Sequence, residues 1–201
     1  MIAPARVNTG MGTICYIHGL NSSKSSFAYL SKGIGGDPKI NYTSHQSLEK
    51  SVLQVSKMLP KNEPLILVGH SLGGIIAATI ALNETHDVRK VVSISTPFGG
   101  SKFAYWARWL ISGLPVLNDL TPVSPAINRF ANEKIPCPIL SVISTGGALP
   151  WSTEPNDTIV TVASQTALKY GKKIEVKANH FEVLMHEKTV DVIQKFVQQE
   201  K

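Results

Sequence analysis

The sequence predicts an α/β domain whose mainly parallel sheet of about six strands is flanked by helices. Two observations predict this class. Several short runs are apolar throughout, as is typical of strands buried on both faces of a parallel sheet, and segments with apolar residues at helical spacing lie between them. The 201 residues, 43% of them hydrophobic and 17% charged, suffice for one well-cored domain but not comfortably for two. We therefore expect a single domain over residues 1–201.

The first third of the chain contains two predicted strands, each followed by a predicted helix. Residues 12–18 (GTICYIH) form a β-rich run, and a short amphipathic helix is expected at 27–32. Residues 39–43 are the second strand candidate. In residues 48–59 apolar side chains recur at helical spacing up to Pro60, which predicts a helix that ends there.

The middle of the chain alternates buried strands with helices. Residues 64–69 (PLILVG) are continuously apolar and predict a strand, whereas 75–83 are apolar nearly all round and predict a buried helix. Residues 90–95 (KVVSIS) and 138–144 (PILSVIS) predict two more buried strands. The remaining expected elements are a helix at 161–170, a strand at 173–177 and a final amphipathic helix at 183–198.

The sequence GHSLGG at residues 69–74 joins the predicted strand at 64–69 to the predicted helix at 75–83. A G-x-S-x-G pattern alone would occur by accident in roughly one chain in ten of this size, but this position is the one that a nucleophile elbow requires. Gly69 and Gly73 remove side chains that a sharp turn could not accommodate, and Gly74 lets the helix pack close to the sheet. Ser71 is therefore the candidate nucleophile; the alternative is a tight turn whose serine serves only as a helix N-cap.

Three segments resemble the α/β-hydrolase superfamily, in particular small bacterial lipases and esterases with a minimal sheet. GHSLGG is similar to their nucleophile elbow, His18-Gly19-Leu20 to their HG-x oxyanion turn, and residues 95–101 (STPFGGS) to their T-P-x-x-G-S segment. The resemblance runs from about residue 12 to the C-terminus. It implies the α/β-hydrolase fold, a Ser-acid-His order of catalytic residues and a serine esterase or lipase.

His180 and Asp157 are the residues that the resemblance assigns as base and acid. His180 lies in ANHFEVL, similar to the G-H-x-x-L-L segment of small lipases but with Asn179 in place of the glycine. His186, expected inside the final helix, is the alternative base. Asp157 lies in PNDTIV, similar to the D-x-x-V segment, and its alternative role is that of an Asx-turn residue. Asp119 and Glu154 are acids outside the match, and His18, His45, His70 and His86 all precede the acid.

Backbone N–H groups of Leu72 and Leu20 are the expected oxyanion hole, because they follow the nucleophile and the HG pair. Such a site would cleave a carboxylic ester through an acyl-enzyme. A thioesterase or an acyltransferase acting through the same three residues stays open. So does a non-catalytic module that binds a lipid or a protein.

Residues 102–136 separate two core strands and exceed an ordinary connection. Their aromatic and apolar side chains, among them Trp106, Trp109 and Leu110, fit either a small lid or acyl-chain wall over Ser71 or the helix that covers the sheet, and both can hold at once. The first interpretation makes these three residues substrate-binding and predicts a small-molecule or lipid ester with an apolar acyl group.

The bulk composition excludes several classes of partner and cofactor. The formal charge is +6, but Lys and Arg are scattered, so we expect a solvated basic surface and no nucleic-acid partner. Weak attraction to an anionic membrane surface is the alternative.

No cluster of His, Asp and Glu has metal-ligand spacing and no phosphate-binding loop occurs, so no metal or cofactor is expected. The first twelve residues contain one Arg and no apolar stretch, and Cys15 and Cys137 do not make a disulfide framework, which predicts a cytoplasmic protein. No pattern indicates an oligomeric state.

Overall fold

The computed structural model describes residues 12–36, 39–102, 104, 114–148 and 153–199. Within them six strands form a single sheet in which every neighbouring pair is parallel. The strands are β1 (Thr13–Ile17), β2 (Lys39–Ile40), β3 (Leu65–His70), β4 (Val88–Ile94), β5 (Ile139–Ser144) and β6 (Lys172–Val176). Their spatial order is β2-β1-β3-β4-β5-β6. The predicted parallel sheet of about six strands is confirmed.

Helices cover both faces of this sheet. They are α1 (Ala28–Ile34), α2 (Leu48–Met58), α3 (Leu72–Leu82), α4 (Val116–Asp119), α5 (Pro125–Asn132), α6 (Val162–Gln165) and α7 (Glu187–Gln198). Successive strand residues point to opposite faces, which divides the core in two. One cluster packs alternate strand residues such as Leu65 and Leu67 against α2 and α3, and the other packs Ile66 and Val68 against α1 and α7.

The second strand is shorter than predicted. The expected strand at 39–43 pairs with β1 only at Lys39 and Ile40. The Tyr42 N–H donates to Nε2 of His18 at 3.4 Å, and the Thr43 N–H donates to Oε1 of Gln54 at 3.2 Å. Because these backbone donors bond side chains instead of a neighbouring strand, the chain leaves the sheet after Ile40.

The predicted helix at 161–170 is also shorter, ending at Gln165. A continuing helix would use the Ser164 carbonyl for the N–H four residues later. That carbonyl instead accepts hydrogen bonds from the Gly99 N–H at 2.9 Å and the Ala167 N–H at 3.3 Å. A contact with a distant loop therefore stops a helix that the local sequence favours.

The predicted final helix at 183–198 is interrupted at His186. A short 3-10 turn, Glu182–Met185, precedes it, and α7 begins directly after it. His186 has an extended backbone and its Nδ1 accepts the Lys188 N–H at 3.1 Å. The prediction that His186 lies inside the helix is wrong, because its ring serves as the N-cap of α7.

The described part of the segment 102–136 covers the sheet. Val116, Leu117, Ile127 and Phe130 are buried in the cluster that contains α2 and α3. Residues 114–136 therefore follow the core-covering interpretation. Phe103 and residues 105–113, with Trp106, Trp109 and Leu110, lie outside the described residues.

Parallel strands bring their carboxyl ends to one edge of the sheet, and in open α/β sheets this edge carries the functional residues. Leu20 follows β1, Ser71 follows β3, Asp157 lies in the connection after β5, and His180 follows β6. All the described candidate residues therefore come from connections that leave this one edge.

Candidate active site

Ser71 lies in a sharp turn between β3 and α3. Its backbone angles, φ 53° and ψ −119°, belong to the left-handed half of conformational space that side-chain-bearing residues rarely adopt. The strained turn is held in place because the Ser71 N–H donates to the Ile94 carbonyl at 2.8 Å and the Ser71 carbonyl accepts the Gly74 N–H at 3.0 Å. The serine side chain is thereby presented at the N-terminus of α3, where backbone N–H groups favour negative charge.

Glycines are required on both sides of this serine by the close approach of backbone atoms. A Cβ on Gly73 would lie 1.9 Å from the Ile17 carbonyl oxygen, and one on Gly69 would lie 2.2 Å from the Gly73 carbonyl oxygen. A Cβ on Gly74 would lie 1.9 Å from Oγ1 of Thr96, so this glycine brings α3 against the connection after β4. These are the steric roles that the sequence predicts for the three glycines.

The alternative role of Ser71, a plain helix cap, does not match the structure. Ser71 occupies the N-cap position of α3, but its side chain makes no capping hydrogen bond. The caps of α2 and α5, Ser47 and Ser124, do accept such bonds from backbone N–H groups. The Ser71 hydroxyl is therefore not used for capping.

Replacing Gly73 with alanine should lower the free energy of unfolding by about 3 kcal/mol. Overpacking costs about 1–3 kcal/mol, and backbone atoms that cannot move aside place this site at the upper end. For a domain of this size the expected fall in Tm is roughly 6–12 °C, measured by differential scanning calorimetry. Thr79→Ala, a truncation at a partly exposed site on the same helix, is the control and should change Tm far less. Equal Tm values for Gly73→Ala and the wild type would contradict the steric argument.

Asp157 and His180 form a buried pair. Nδ1 of His180 donates to Oδ2 of Asp157 at 2.7 Å, and the exposed fractions of the two residues are 3% and 0%. The His180 N–H also donates to the Asp157 carbonyl at 2.8 Å. Because both main chain and side chain join the two loops, the imidazole has a fixed orientation with its Nε2 directed away from the carboxylate.

Asp157 makes the contacts that both suggested roles require. Its Oδ1 accepts the N–H groups of Ile159 at 3.0 Å and Val160 at 2.7 Å, which makes an Asx turn, and its Oδ2 bonds His180. Burial by itself would raise the pKa of Asp157. The hydrogen bond and charge of His180, with the bonds from Ser144 and Val160, outweigh burial and lower this pKa below its ordinary value.

Two polar residues that the sequence analysis did not single out also bond Asp157. Oγ of Ser144 donates to Oδ2 at 2.5 Å and Nε2 of Gln165 donates to it at 3.2 Å. Both side chains are completely buried. A serine at a strand end and a glutamine in a short helix carry no motif, so only the tertiary structure reveals their position.

His70 links the elbow to the loop that carries His180. Its Nε2–H donates to the His180 carbonyl at 2.8 Å, and the two rings lie 4.8 Å apart between centroids. Burial, reinforced by the neighbouring His180, lowers the pKa of His70 to about 3, so this ring is neutral. His70 precedes the nucleophile candidate directly, and this bond places His180 against the elbow.

No hydrogen bond in the described part of the chain joins Oγ of Ser71 to His180. His70, the residue before Ser71, bonds and contacts His180. In structures without substrate, catalytic hydrogen bonds are often long and tighten when substrate binds. The structure thus bonds the predicted acid and base to each other and joins them through His70 to the turn that carries the predicted nucleophile.

The predicted oxyanion donors lie in two turns that meet at Ser71. A Cβ on Gly19 would lie only 3.1 Å from the Ser71 Cβ, so the turn with Leu20 abuts the elbow. Neither the Leu20 N–H nor the Leu72 N–H donates to another described residue. Two unused backbone donors therefore border the serine.

His18 fixes the first of these turns. Because a carbonyl only accepts, its Nδ1–H donates to the Gly19 carbonyl at 2.9 Å, and its ring stacks on Tyr42 at 4.4 Å. The C=O and N–H of a trans peptide point in opposite directions. Fixing the Gly19 carbonyl therefore fixes the direction of the Leu20 N–H.

A second serine–histidine pair lies at the opposite edge of the sheet. Oγ of Ser56 and Nε2 of His86 are 2.8 Å apart in a cleft of about 650 Å³. Among the described residues no carboxylate bonds His86, since the adjacent Asp87 pairs with Arg89. Without an orienting acid, this cleft is the weaker candidate.

Among the described residues, no group of three or more His, Cys, Asp or Glu side chains could hold a metal ion. None of the helices in the described segments has the length and apolar character needed to cross a membrane.

Comparison with known families assigns the chain. The profile of the family described as alpha/beta hydrolase fold matches residues 12–120, more than half of the sequence. The chain belongs to this family. The match includes the elbow and the Leu20 turn, and it confirms the superfamily resemblance inferred from the motifs. Among curated proteins no match was found.

Solved structures of other α/β-hydrolases share the fold. The mature Bacillus licheniformis lipase BlEst2 is 19% identical with a TM-score of 0.76, over 97% of this chain and 94% of that one. The metagenomic carboxyl esterase MGS0156 is 15% identical with a TM-score of 0.67, over 98% and 78%. A lipase-esterase related protein from Clostridium acetobutylicum is 14% identical with a TM-score of 0.63, over 92% and 93%. At these identities the similarity establishes the fold alone.

Proposed function

We propose that this α/β-hydrolase is a serine esterase of the lipase and esterase type, which cleaves carboxylic esters through an acyl-enzyme at Ser71. The observation that carries this proposal is the buried pair of Asp157 and His180, bonded at 2.7 Å and held by His70 beside a serine whose hydroxyl caps no helix. The esterases and lipases among its structural neighbours fit the same class of activity.

The first half of the reaction forms the acyl-enzyme. Oγ of Ser71 attacks the ester carbonyl carbon while Nε2 of His180 takes the serine proton, and the carbonyl π electrons move onto oxygen. The N–H groups of Leu20 and Leu72 bind this oxyanion. When it collapses, the carbon–alkoxy bond breaks, and the leaving alcohol receives the proton from Nε2.

The second half returns the enzyme to its starting state. Water attacks the acyl carbon, Nε2 of His180 takes its proton, and the second tetrahedral oxyanion occupies the same two N–H groups. Its collapse breaks the bond to Oγ of Ser71, which recovers the proton, and the carboxylic acid leaves. Asp157 stays ionised throughout, keeping Nδ1 protonated and stabilising the imidazolium.

The surroundings of His180 favour an ester with an apolar portion. Phe181 is 59% exposed although its ring lies edge-on to His180 at 5.3 Å. Met185 and Ile159, near His180 and Asp157 in the chain, are also exposed. Apolar side chains left in solvent beside reactive groups are suited to contact an acyl chain or an apolar alcohol.

Further properties come from the sequence alone and stay predictions. The expected partner is a small-molecule or lipid ester and no nucleic acid, with at most weak contact to an anionic membrane surface, and the expected location is the cytoplasm. The contribution of Trp106, Trp109 and Leu110 to an acyl wall is likewise a prediction.

Covalent labelling tests the proposed function. A fluorophosphonate should label the wild-type protein on Ser71, and a nitrophenyl ester should release a burst of nitrophenol before steady turnover. Intact-protein and peptide mass spectrometry measure the modified residue. A folded protein that is neither labelled nor active on esters of short and medium acyl length would disprove the proposal and favour a non-catalytic binding module.

A further inference from the structure

Asp157 receives more hydrogen bonds than the orientation of His180 requires. Its Oδ2 accepts bonds from Ser144 and Gln165 in addition to the histidine, and its Oδ1 accepts two backbone N–H groups. An ionised carboxylate has about four lone-pair positions, so this group is fully occupied. The two side-chain donors are completely buried, which makes them part of a built network.

The direction of the Ser144 proton follows from its partners. Ser144 Oγ lies 2.5 Å from Oδ2 of Asp157 and 2.6 Å from Oγ of Ser95. Oε1 of Gln165, another acceptor, lies farther from Ser144 Oγ, at 3.2 Å. A carboxylate only accepts and its oxygen is the nearer, so the single hydroxyl proton of Ser144 goes to Asp157. Ser95 must then donate its own proton to Ser144. The result is a directed chain from Ser95 through Ser144 to Asp157.

The orientation of the Gln165 side-chain amide also follows from its partners. The Ser144 N–H points to its amide at 2.9 Å and therefore requires the oxygen Oε1 there. The other amide atom, Nε2, then donates to the Ser144 carbonyl at 3.0 Å and to Oδ2 of Asp157 at 3.2 Å. Gln165 thus clamps the end of β5 and the acid with one side chain.

We propose that Ser144, Gln165 and Ser95 are positioning residues of the esterase, which fix the Asp157 carboxylate and through it the His180 ring. This inference rests on the proposed function. Ser95 directly follows β4. The connection after β4 therefore contributes a hydroxyl that supports the acid carried after β5.

Ser144→Ala, compared with Ser141→Ala, tests the proposal. Both changes remove a buried hydroxyl on β5 that bonds another serine, but Ser141 bonds Ser93 of β4 at 3.0 Å and lies away from the acid. We expect kcat for a nitrophenyl ester to fall about tenfold in Ser144→Ala, since a hydrogen bond to a charged group is lost, with KM unchanged. Ser141→Ala should keep the wild-type kcat, with a Tm similar to that of Ser144→Ala.

The pH dependence of kcat/KM distinguishes a positioning role from a purely structural role, which would leave it unchanged. Hydrogen bonds to the ionised form keep the pKa of Asp157 low, so removing a donor raises it. The coupled acid and base then bind a proton at higher pH, and the acid limb of kcat/KM should move to higher pH in Ser144→Ala but not in Ser141→Ala. Ser95→Ala leaves every Asp157 contact in place but removes the donor to Ser144 Oγ, which weakens the Ser144–Asp157 bond. It should therefore move the limb in the same direction by a smaller amount.

The outcomes separate this inference from the proposed function. If the wild type is labelled on Ser71 but all three serine variants share its kcat and acid limb, the positioning role is wrong and the esterase proposal stands. If the wild type is neither labelled nor active, the proposed function fails first. Should Ser144→Ala not fold, Ser95→Ala decides, because an unchanged acid limb there would overturn the inference.

Discussion

Ser71→Ala should lower kcat for a nitrophenyl ester by on the order of 10⁶ and abolish fluorophosphonate labelling. The alanine cannot form the acyl-enzyme, and the remaining groups offer only the oxyanion hole and binding, which leave a residual rate about 10³–10⁴ above that in water. The loss should be confined to chemistry, because the Ser71 hydroxyl makes no capping bond and alanine adopts the same strained φ as readily. Steady-state kinetics and calorimetry together measure both parts of this expectation.

Ser51→Ala is a matched control for this change. Ser51 is a fully buried serine in α2, so its truncation tests whether loss of any buried hydroxyl disturbs turnover. Its kcat should equal that of the wild type. Retained turnover and labelling in Ser71→Ala would place the nucleophile elsewhere, and the Ser56–His86 pair at the opposite edge of the sheet would be the next residue pair to mutate.

The sequence sufficed to predict the elbow because its signals, the glycine spacing and the apolar runs on either side, are local. A Cβ on Gly69 would meet the Gly73 carbonyl within the same turn, whereas the clashes at Gly73 and Gly74 are with Ile17 and Thr96 outside it. The continuous apolar run of β3 shows burial on both faces without reference to any other strand. Periodicity and glycine spacing are therefore enough to place Ser71 at the carboxyl edge of a parallel sheet.

The residues that sequence reasoning missed depend on contacts across long sequence distances. Gln165 bonds Ser144, 21 residues earlier, and His70 bonds His180, 110 residues later. A contact across a long sequence distance also explains why the helix expected at 161–170 ends early, since the Ser164 carbonyl accepts the Gly99 N–H. Periodicity cannot report such partners, since they alter neither the hydrophobic pattern nor any recognised spacing.

Asp157 shows how two competing interpretations of one residue can be compatible. An Asn-Asp pair in a loop suggests an Asx turn, and Asp157 does form one through Oδ1. The turn leaves Oδ2 for His180 and holds the carboxylate still. The local turn is therefore the means by which the chain presents the acid, and the two interpretations describe different oxygen atoms.

Asp157→Asn should lower kcat by about 10⁴, the size of effect that the wrong histidine tautomer has in serine proteases. An amide nitrogen facing Nδ1 of His180 can only donate, so the proton moves to Nε2, which then cannot accept the proton of Ser71. Turning the amide oxygen toward His180 would restore the tautomer. It would, however, set the NH₂ group against the donating N–H groups of Ile159 and Val160.

Asp157→Asn should also lower the stability of the fold, by an amount that depends on pH. The pKa of Asp157 is lower in the folded protein than its ordinary value, so the carboxylate stabilises the fold above its unfolded-state pKa, and this stabilisation is lost as pH falls through the folded pKa. The Tm advantage of the wild type over Asp157→Asn should be largest near neutral pH and shrink in acid. Asp119→Asn is the control, because the Asp119 carboxylate bonds only the Leu48 N–H among the described residues, at 2.7 Å, and the variant should retain wild-type kcat. Equal losses of kcat in the two variants would show that Asp157 does not orient the base, since the Asp119 carboxylate bonds the first residue of α2 and takes no part in the proposed reaction.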